Sequence, residues 1–530
     1  MDRDAMRSLI KWKDSKRRKP LILSGARQVG KTWLLKEFGK THFNNVAYIN
    51  FDNNQHMPSA FEGSLSPKRL IPILQAESGE RIEPEKTLII LDEIQEVPRA
   101  LTALKYFQEE AAEYLVVAAG SSLGIALHGV SFPVGKVSFL ELYPLTISEF
   151  LQALGLGIHV DSIRNLDWDT LHPFHEELIE LVRMYIYVGG MPEAVSEFAE
   201  TRDFNTVREI QQELLTSYEK DFSKHADEVM AERLRLIWKS IPANLSQENK
   251  KFVFKRIKPS ARARGFEEGL QWLEDASLIH RVKRVNTPRV PLASYQDDEA
   301  FKVYCLDVGL LGAMTNLPAQ TILEDDKVFK EFKGALGEQL ALQEVCSTGR
   351  NGLNYYQNES TRTEIDFVLD GVKNIGGVVP LEVKYGTNLR AKSLASYVKR
   401  YEPELAMRAS SSSRSKDGAI EDVPFYALAQ FLGQGGERNG IAELPAIASK
   451  REAEKKGSSD RVSDAILKLL CKAPLTRKEI LGLLLERMGM SLEPQTASQI
   501  LAKLNRAGEI VSKGFGVKAR WEISEKNEND

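Results

Sequence analysis

Cysteine is scarce in this chain of 530 residues: Cys305, Cys346 and Cys471 stand far apart and form no CxxC pair. Neither a disulfide framework nor a zinc site is supported, which fits a reducing cytoplasm. Long apolar runs are missing as well. No stretch approaches the ~18 residues that span a bilayer, and the N-terminus is polar from its first residues. A cytoplasmic location with no membrane partner is therefore expected. Net charge is nearly absent, at a formal -3, so nucleic acid is not attracted globally and any basic surface must be local. No internal repeat is seen.

What is present is ordinary in composition and long in extent. Hydrophobic residues make up 42% and charged residues 27% of the chain, as in soluble globular proteins. The length suggests roughly three or four domains. "LILSG", "VAYINFD", "KTLIILDE" and "YLVVAAGSS" read as buried strands alternating with helical stretches such as "TWLLKEFGK". That alternation predicts an α/β core with a parallel sheet covered on both faces, over residues 1–155. The pattern then turns helical, with a lid expected over 156–225 and a helical, winged-helix-like region over 226–320. Residues 332–402 read as helix, strand, strand, strand, helix, and "PFYALA" as a final strand, which gives a second α/β domain over 321–432. A polar linker is expected at 433–460 and a compact unit at 461–530.

Two stretches carry chemistry. "GARQVGKT" satisfies G-x-x-x-x-G-K-[ST] with Gly25, Gly30, Lys31 and Thr32, and Ala26, Arg27, Gln28 and Val29 complete the loop. Glycines let backbone N–H groups curl around phosphates, Lys31 can reach the β and γ oxygens, and Thr32 can ligate magnesium. The helix that follows adds its own anion affinity. "LIILDE" ends an apolar strand in two acids. Asp92 would complete the magnesium shell and Glu93 would polarise the attacking water. Ser121 or Ser122 could touch the γ-phosphate or that water; a plain Gly-Ser turn is the alternative.

"GARQVGKT", "LDEIQEVP", "GSS", "YPLTISEFL", "YVGGMPEAV" and "YCLDVGLLGAM" together resemble the prokaryotic AAA-type ATPases that carry a restriction-endonuclease-like domain of unknown function. The resemblance covers roughly residues 1 to 430. It implies ATP and Mg2+ as cofactors. In that family a Gly-Arg pair follows the serine segment, and its arginine is a candidate for completing the nucleotide site. This chain has Gly135-Lys136 there. Lysine keeps the charge but loses the bidentate fork.

The second stretch is "TEIDFVLDGVKNIGGVVPLEVKY". Residues two apart on a strand share a face, so Glu382 and Lys384 would project together toward Asp366 on the adjacent strand. With Glu338 from the preceding helix, Asp366 and Glu382 could hold one or two magnesium ions, and Lys384 could orient or deprotonate water. The element order is that of PD-(D/E)xK nucleases, and the resemblance implies the same fold. A solvated strand face is the plain alternative for Glu-x-Lys, and the fold also serves as a binding module. Glu364 and Asp370 read as surface acids.

Two segments could touch DNA. Residues 250–264 carry Lys250, Lys251, Lys255, Arg256, Lys258, Arg262 and Arg264 with no acid. Residues 461–524 carry eleven Lys and Arg against six Asp and Glu, a local +5. There three short helices and a hairpin wing suggest a winged helix-turn-helix, with Gln495, Thr496, Ser498 and Gln499 toward the groove; winged helices also serve protein contacts. The expectation is an ATP-hydrolysing, DNA-associated protein in which the ATPase gates a magnesium-dependent nuclease-like domain. The alternatives are an ATP-regulated switch whose nuclease-like fold no longer cuts, and an ATPase motor without DNA. A homo-oligomer stays open.

Overall fold

The computed structural model describes residues 2–121, 133, 135–247, 249–257, 263–323, 330–350, 352–358, 360–361, 363–372, 375–385, 391–433, 466, 469–470, 474–488, 494–506, 510–513 and 520–523. They form two units, Met1–Gly440 and Ile441–Asp530. No helix among the described residues is long and apolar enough to cross a membrane.

Among its described residues the first unit contains two sheets. β1 (Leu21–Ser24), β2 (Asn45–Asn50), β3 (Thr87–Asp92), β4 (Leu115–Ala119) and β5 (Ser138–Glu141) run parallel in the order β2-β3-β4-β1-β5. β3 and β4 are buried at every position, as strands covered on both faces must be. Helix α1 (Ala5–Asp14) precedes the sheet, and α2 (Lys31–His42) follows β1 directly after the glycine loop. β5 lies outside the four strands that apolar runs suggest. Its "SFLE" is short and only partly buried, so no hydrophobic signal marks it.

Beyond β5 the chain is helical, through Ile147–Ala153, His175–Val188, Pro192–Thr201, Phe204–His225 and Glu228–Leu245. The first of these starts at a capping box: Thr146 Oγ1 accepts from Glu149 N at 3.2 Å while Glu149 Oε2 accepts from Thr146 N at 2.9 Å.

The second sheet is mixed and has eight strands. β6 (Ile279–Val285), β7 (Gln296–Cys305), β8 (Asn354–Asn358), β9 (Thr363–Leu369), β10 (Val379–Lys384), β11 (Ala406–Ser410), β12 (Ser415–Asp417) and β13 (Ile420–Pro424) lie in the order β12-β13-β11-β10-β9-β8-β6-β7. The sheet crosses residue 320, where the sequence suggests a domain boundary. The join is β6 against β8, parallel, with Lys283 to Val285 facing Asn354 to Tyr356. Helix Lys330–Ser347 precedes β8 and helix Lys392–Tyr401 follows β10. "PFYALA" is not a strand. Pro424 ends β13, Phe425–Ala427 is a 3-10 turn, and helix Leu428–Gly433 continues from it. Pro424 lacks the N–H that a central ladder needs, and the buried aromatic pair Phe425 and Tyr426 packs into the core instead.

One buried cluster runs without a break from Leu21 and Leu34 in the parallel-sheet region to Leu336, Phe367 and Met407 around the mixed sheet. The two sheets therefore share a core.

In the second unit, helices Arg477–Met488 and Pro494–Arg506 pack with β14 (Leu475–Thr476), β15 (Ile510–Lys513) and β16 (Arg520–Ile523). The strands are antiparallel in the order β14-β16-β15. Ile466, Ile480, Leu484, Leu501 and Ile510 belong to its core. The expected linker from residue 434 onward, and most of the helix expected at 461–472, lie outside the described residues.

Candidate functional site

β1 leads into the loop Gly25–Thr32. Gly25 takes φ 138°, and a Cβ there would collide with the Leu142 carbonyl, so only glycine fits. Lys31, 7% exposed, donates to the carbonyls of Gly25 at 2.8 Å and Ala26 at 2.7 Å. Burial, only partly opposed by the charges of Glu93 and Asp92, pushes its ammonium down to about 8. Thr32 Oγ1 donates to Asp92 Oδ2 at 2.7 Å, and the Tyr48 hydroxyl donates to the same oxygen at 3.0 Å. A hydroxyl and a carboxylate side by side are the oxygen donors that magnesium takes, and they fit it here.

Glu93 sits one residue past β3 with φ 51°, a left-handed conformation that costs a glutamate strain energy. Ser121 Oγ approaches Glu93 Oε2 at 3.4 Å and accepts from Arg27 Nε at 3.2 Å. Arg27 also pairs with Asp221, and its Nη2 lies 3.2 Å from His225 Nε2, so the loop is tied to the helix Phe204–His225. Lys31, Thr32, Glu93, Ser121, Trp33 and Lys224 line one cleft of about 510 Å³. Ser122 lies outside the described residues. Lys136 pairs with Glu109 at 2.9 Å, both partly exposed.

The carboxylate set lies in the mixed sheet. The β9–β10 pairing ends at Phe367 opposite Leu381. One residue further, the ladder is replaced by the Asp366 side chain, whose Oδ2 accepts from Val383 N at 2.8 Å. Glu382 Oε1 meets Lys384 Nζ at 2.7 Å, while Glu382 Oε2 is buried with no hydrogen-bond partner. Glu338 is 3% exposed; Tyr304 donates to its Oε2 at 2.7 Å, and Lys250 pairs with its Oε1. Burial opposes the Glu338 charge, but Lys250 and Lys302 outweigh it and hold the carboxyl below its ordinary range. Burial, reinforced by Glu338 and Glu382, pushes Asp366 well up.

Two expectations change here. Glu364 is not a free surface acid: its Oε1 lies 2.7 Å from Nζ of the fully buried Lys302. Lys250, read as part of a DNA-facing run, pairs inward with Glu338. Among the described residues no group of three or more His, Cys, Asp or Glu stands together as a metal site. Glu338 presents no free oxygen to a cation, so the expected magnesium set of Glu338, Asp366 and Glu382 does not fit as arranged. Sequence reading missed Lys302 and Tyr304. Their signal is a lysine inside the apolar run "AFKVYCL", where a solvent-facing lysine has no place.

Of the basic run, Arg256 Nη1 donates to the Ala243 carbonyl at 3.3 Å; Lys258 and Arg262 lie outside the described residues. In the second unit Ser498 Oγ accepts from Arg477 Nη1 at 2.7 Å. The side chains of Gln495, Thr496 and Gln499 lie outside the described residues.

Three family models match separate stretches. An AAA domain matches residues 17–151, a domain of unknown function (DUF8612) residues 179–321, and a second (DUF4143) residues 333–424. No curated protein matches the chain. Among solved structures, the Walker-type ATPase of Pyrococcus abyssi is 15% identical over 59% of this chain and 95% of its own, with a TM-score of 0.37. The Orc1 protein of Aeropyrum pernix in complex with DNA is 13% identical over 60% and 92%, with a TM-score of 0.27. AMPPCP-bound DnaA from Aquifex aeolicus is 12% identical over 51% and 85%, with a TM-score of 0.23. At such scores no functional statement follows from these three. The parallel sheet, the glycine loop and the AAA-domain model matching residues 17–151 agree on an ATPase-like domain of the P-loop fold in this part of the chain.

Proposed function

We propose that the chain binds and hydrolyses ATP and uses the nucleotide state to control its mixed-sheet domain. The observation that supports this most is the convergence of Lys31, Thr32, Glu93 and Ser121 on one cleft, with the buried Asp92 held against Thr32. Backbone N–H groups of Gly25 to Gly30 and the Lys31 ammonium would hold the phosphates. Thr32 and Asp92 would hold magnesium, which when bound neutralises charge on the phosphate oxygens. Glu93 would take the proton from the attacking water, with Ser121 orienting it. Arg27, tied to Asp221 and His225, would report the occupied loop to the helical region. Lys31→Ala should lose ATP binding without unfolding, whereas Glu93→Gln should bind ATP and fail to hydrolyse it. Hydrolysis at the parent rate in Glu93→Gln would move the base to another residue.

Hydrogen bonds between the two regions support such a coupling. Ile147 N, at the helix tied by Glu149 to Arg3, donates to Glu344 Oε1 at 2.9 Å. Glu344 shares the helix Lys330–Ser347 with Glu338. Gly190 N likewise donates to Asp307 Oδ2 at 2.7 Å, and Gln343 Nε2 to the Tyr185 hydroxyl at 2.7 Å. A shift at the phosphate loop would then bear on elements that reach the carboxylate set. DNA is the partner favoured by the basic segments.

A second reading, metal-dependent cleavage of DNA, would need Asp366 and Glu382 to hold the ion without Glu338, whose oxygens Lys250 and Tyr304 engage; the unpaired Glu382 oxygen and the nearby Lys384 favour it. Magnesium-dependent nicking of plasmid by purified protein, abolished in Asp366→Ala, would establish it.

A further inference from the structure

A carboxylate cluster built for a divalent cation is short of positive charge until the metal arrives. This cluster contains its own. Lys302 has no exposed surface, and its Nζ lies 2.7 Å from Glu364 Oε1 and 3.8 Å from Glu338 Oε2. The Tyr355 ring lies under the same ammonium, 4.8 Å from its centroid. A lysine is almost never fully buried without such compensation. Lys250 takes the other oxygen of Glu338, and Lys384 takes Glu382 Oε1. Four acids (Glu338, Glu364, Asp366 and Glu382) thus stand with three lysines (Lys250, Lys302 and Lys384). With every group ionised the formal balance is -1 where the acids alone would give -4, and the burial that favours a proton on Asp366 brings the cluster closer still to neutrality.

Lys384 belongs to the Glu-x-Lys pattern itself, but Lys302 does not. It arrives on β7, from before the boundary suggested at 320, because β6 and β7 extend the sheet past β8. Its neighbour Tyr304, two residues on and on the same strand, fixes Glu338 Oε2. One strand therefore supplies both the cation and the hydroxyl that engage the helix carboxylate.

We infer that Lys302 is the resident cation of this cluster, standing where a nuclease-like site would hold a divalent metal, and that the cluster of the native chain takes up neither Mg2+ nor Mn2+. The inference rests on reading Glu338, Asp366, Glu382 and Lys384 as a nuclease-like set. It makes the mixed-sheet domain a binding element governed by ATP, without a hydrolytic step of its own.

The test uses the full chain without nucleotide and Mn2+ as the probe, with binding read from the signal of the free ion and stability from thermal unfolding. The parent and Asp366→Asn should bind the same amount of Mn2+. Lys302→Met should unfold about 5 °C or more below the parent in metal-free buffer. It should also gain one Mn2+ site that restores the loss, and the added change Glu338→Gln should remove that site. Mn2+ binding by the parent that disappears in Asp366→Asn overturns the inference and leaves the nuclease-like reading standing. A Lys302→Met protein that gains no Mn2+ site overturns both. If Lys302→Met does not fold, Lys302→Gln is read by the same criteria, and the comparison of parent with Asp366→Asn decides independently.

Discussion

Arg3 Nη1 donates to the Val29 carbonyl at 2.8 Å, so the segment ahead of the first strand bears directly on the phosphate loop. The same guanidinium reaches Glu149 Oε1 at 3.1 Å and the Tyr143 carbonyl at 2.7 Å. The Arg3 and Glu149 side chains are only 4% and 5% exposed. Removing one partner strands the other charge in the interior. Arg3→Ala is therefore expected to cost about 3 kcal/mol and to weaken ATP binding, while Arg3→Lys recovers only part of both. Urea unfolding and ATP titration read the two effects; an unchanged midpoint in Arg3→Ala would refute the account.

Glu344 gives a pH signature. Burial, with added repulsion from Glu149 and Asp4, pushes its carboxyl up to about 8, against the pull of the Ile147 N–H. The folded state thus binds a proton that the unfolded state has released. Its contribution is fully present below the ordinary carboxylate value of 4.5 and is lost as pH rises through about 8. Glu344→Gln keeps an oxygen for Ile147. It should match the parent in mild acid and exceed it above pH 8, by on the order of a few kcal/mol. Parallel stability curves for the two proteins between pH 5 and 9 would count against a buried, protonated Glu344.

Trp33 offers a direct optical probe. It is 45% exposed and lines the cleft beside Lys31 and Thr32. ATP should alter tryptophan emission, and Trp33→Phe should remove most of the change while ATP affinity stays within a few-fold. If the change persists in Trp33→Phe, the nucleotide acts on a more distant tryptophan.

The second unit should carry salt-sensitive DNA affinity. Its local +5 over residues 461–524 stands in a chain of net -3. Duplex binding by the full chain should fall steeply between roughly 50 and 200 mM salt, and a chain ending at Gly440 should lose most of it. Equal binding by the two would mark the unit as a protein-contact module.

The phosphate site was legible because eight consecutive residues, "GARQVGKT", carry most of it, and Asp92-Glu93 announces itself at the end of an apolar strand. Its support was not. Arg3 meets Glu149 across 146 positions and Val29 across 26, and nothing in its local sequence distinguishes this buried arginine from surface ones. Asp366, Glu382 and Lys384 follow from strand alternation taken with the family resemblance, and β9 and β10 stand side by side in the structure. Lys302 escaped because its partners lie on a helix and a strand far along the chain. "PFYALA" misled because apolar residues before a short helix look like a strand until burial decides.

The strands β6 and β7 have a consequence for handling the protein in pieces. They cover the β8 side of the mixed sheet through the pairing of Lys283 to Val285 with Asn354 to Tyr356. A fragment beginning after residue 320 would leave unpaired the backbone N–H and C=O groups of β8 that face β6, while the β9 side keeps its ladder. It would also strip Glu338 of Tyr304 and Lys302. Such an edge recruits other chains, and insolubility of the fragment would report two missing strands and say nothing about whether its acidic site works.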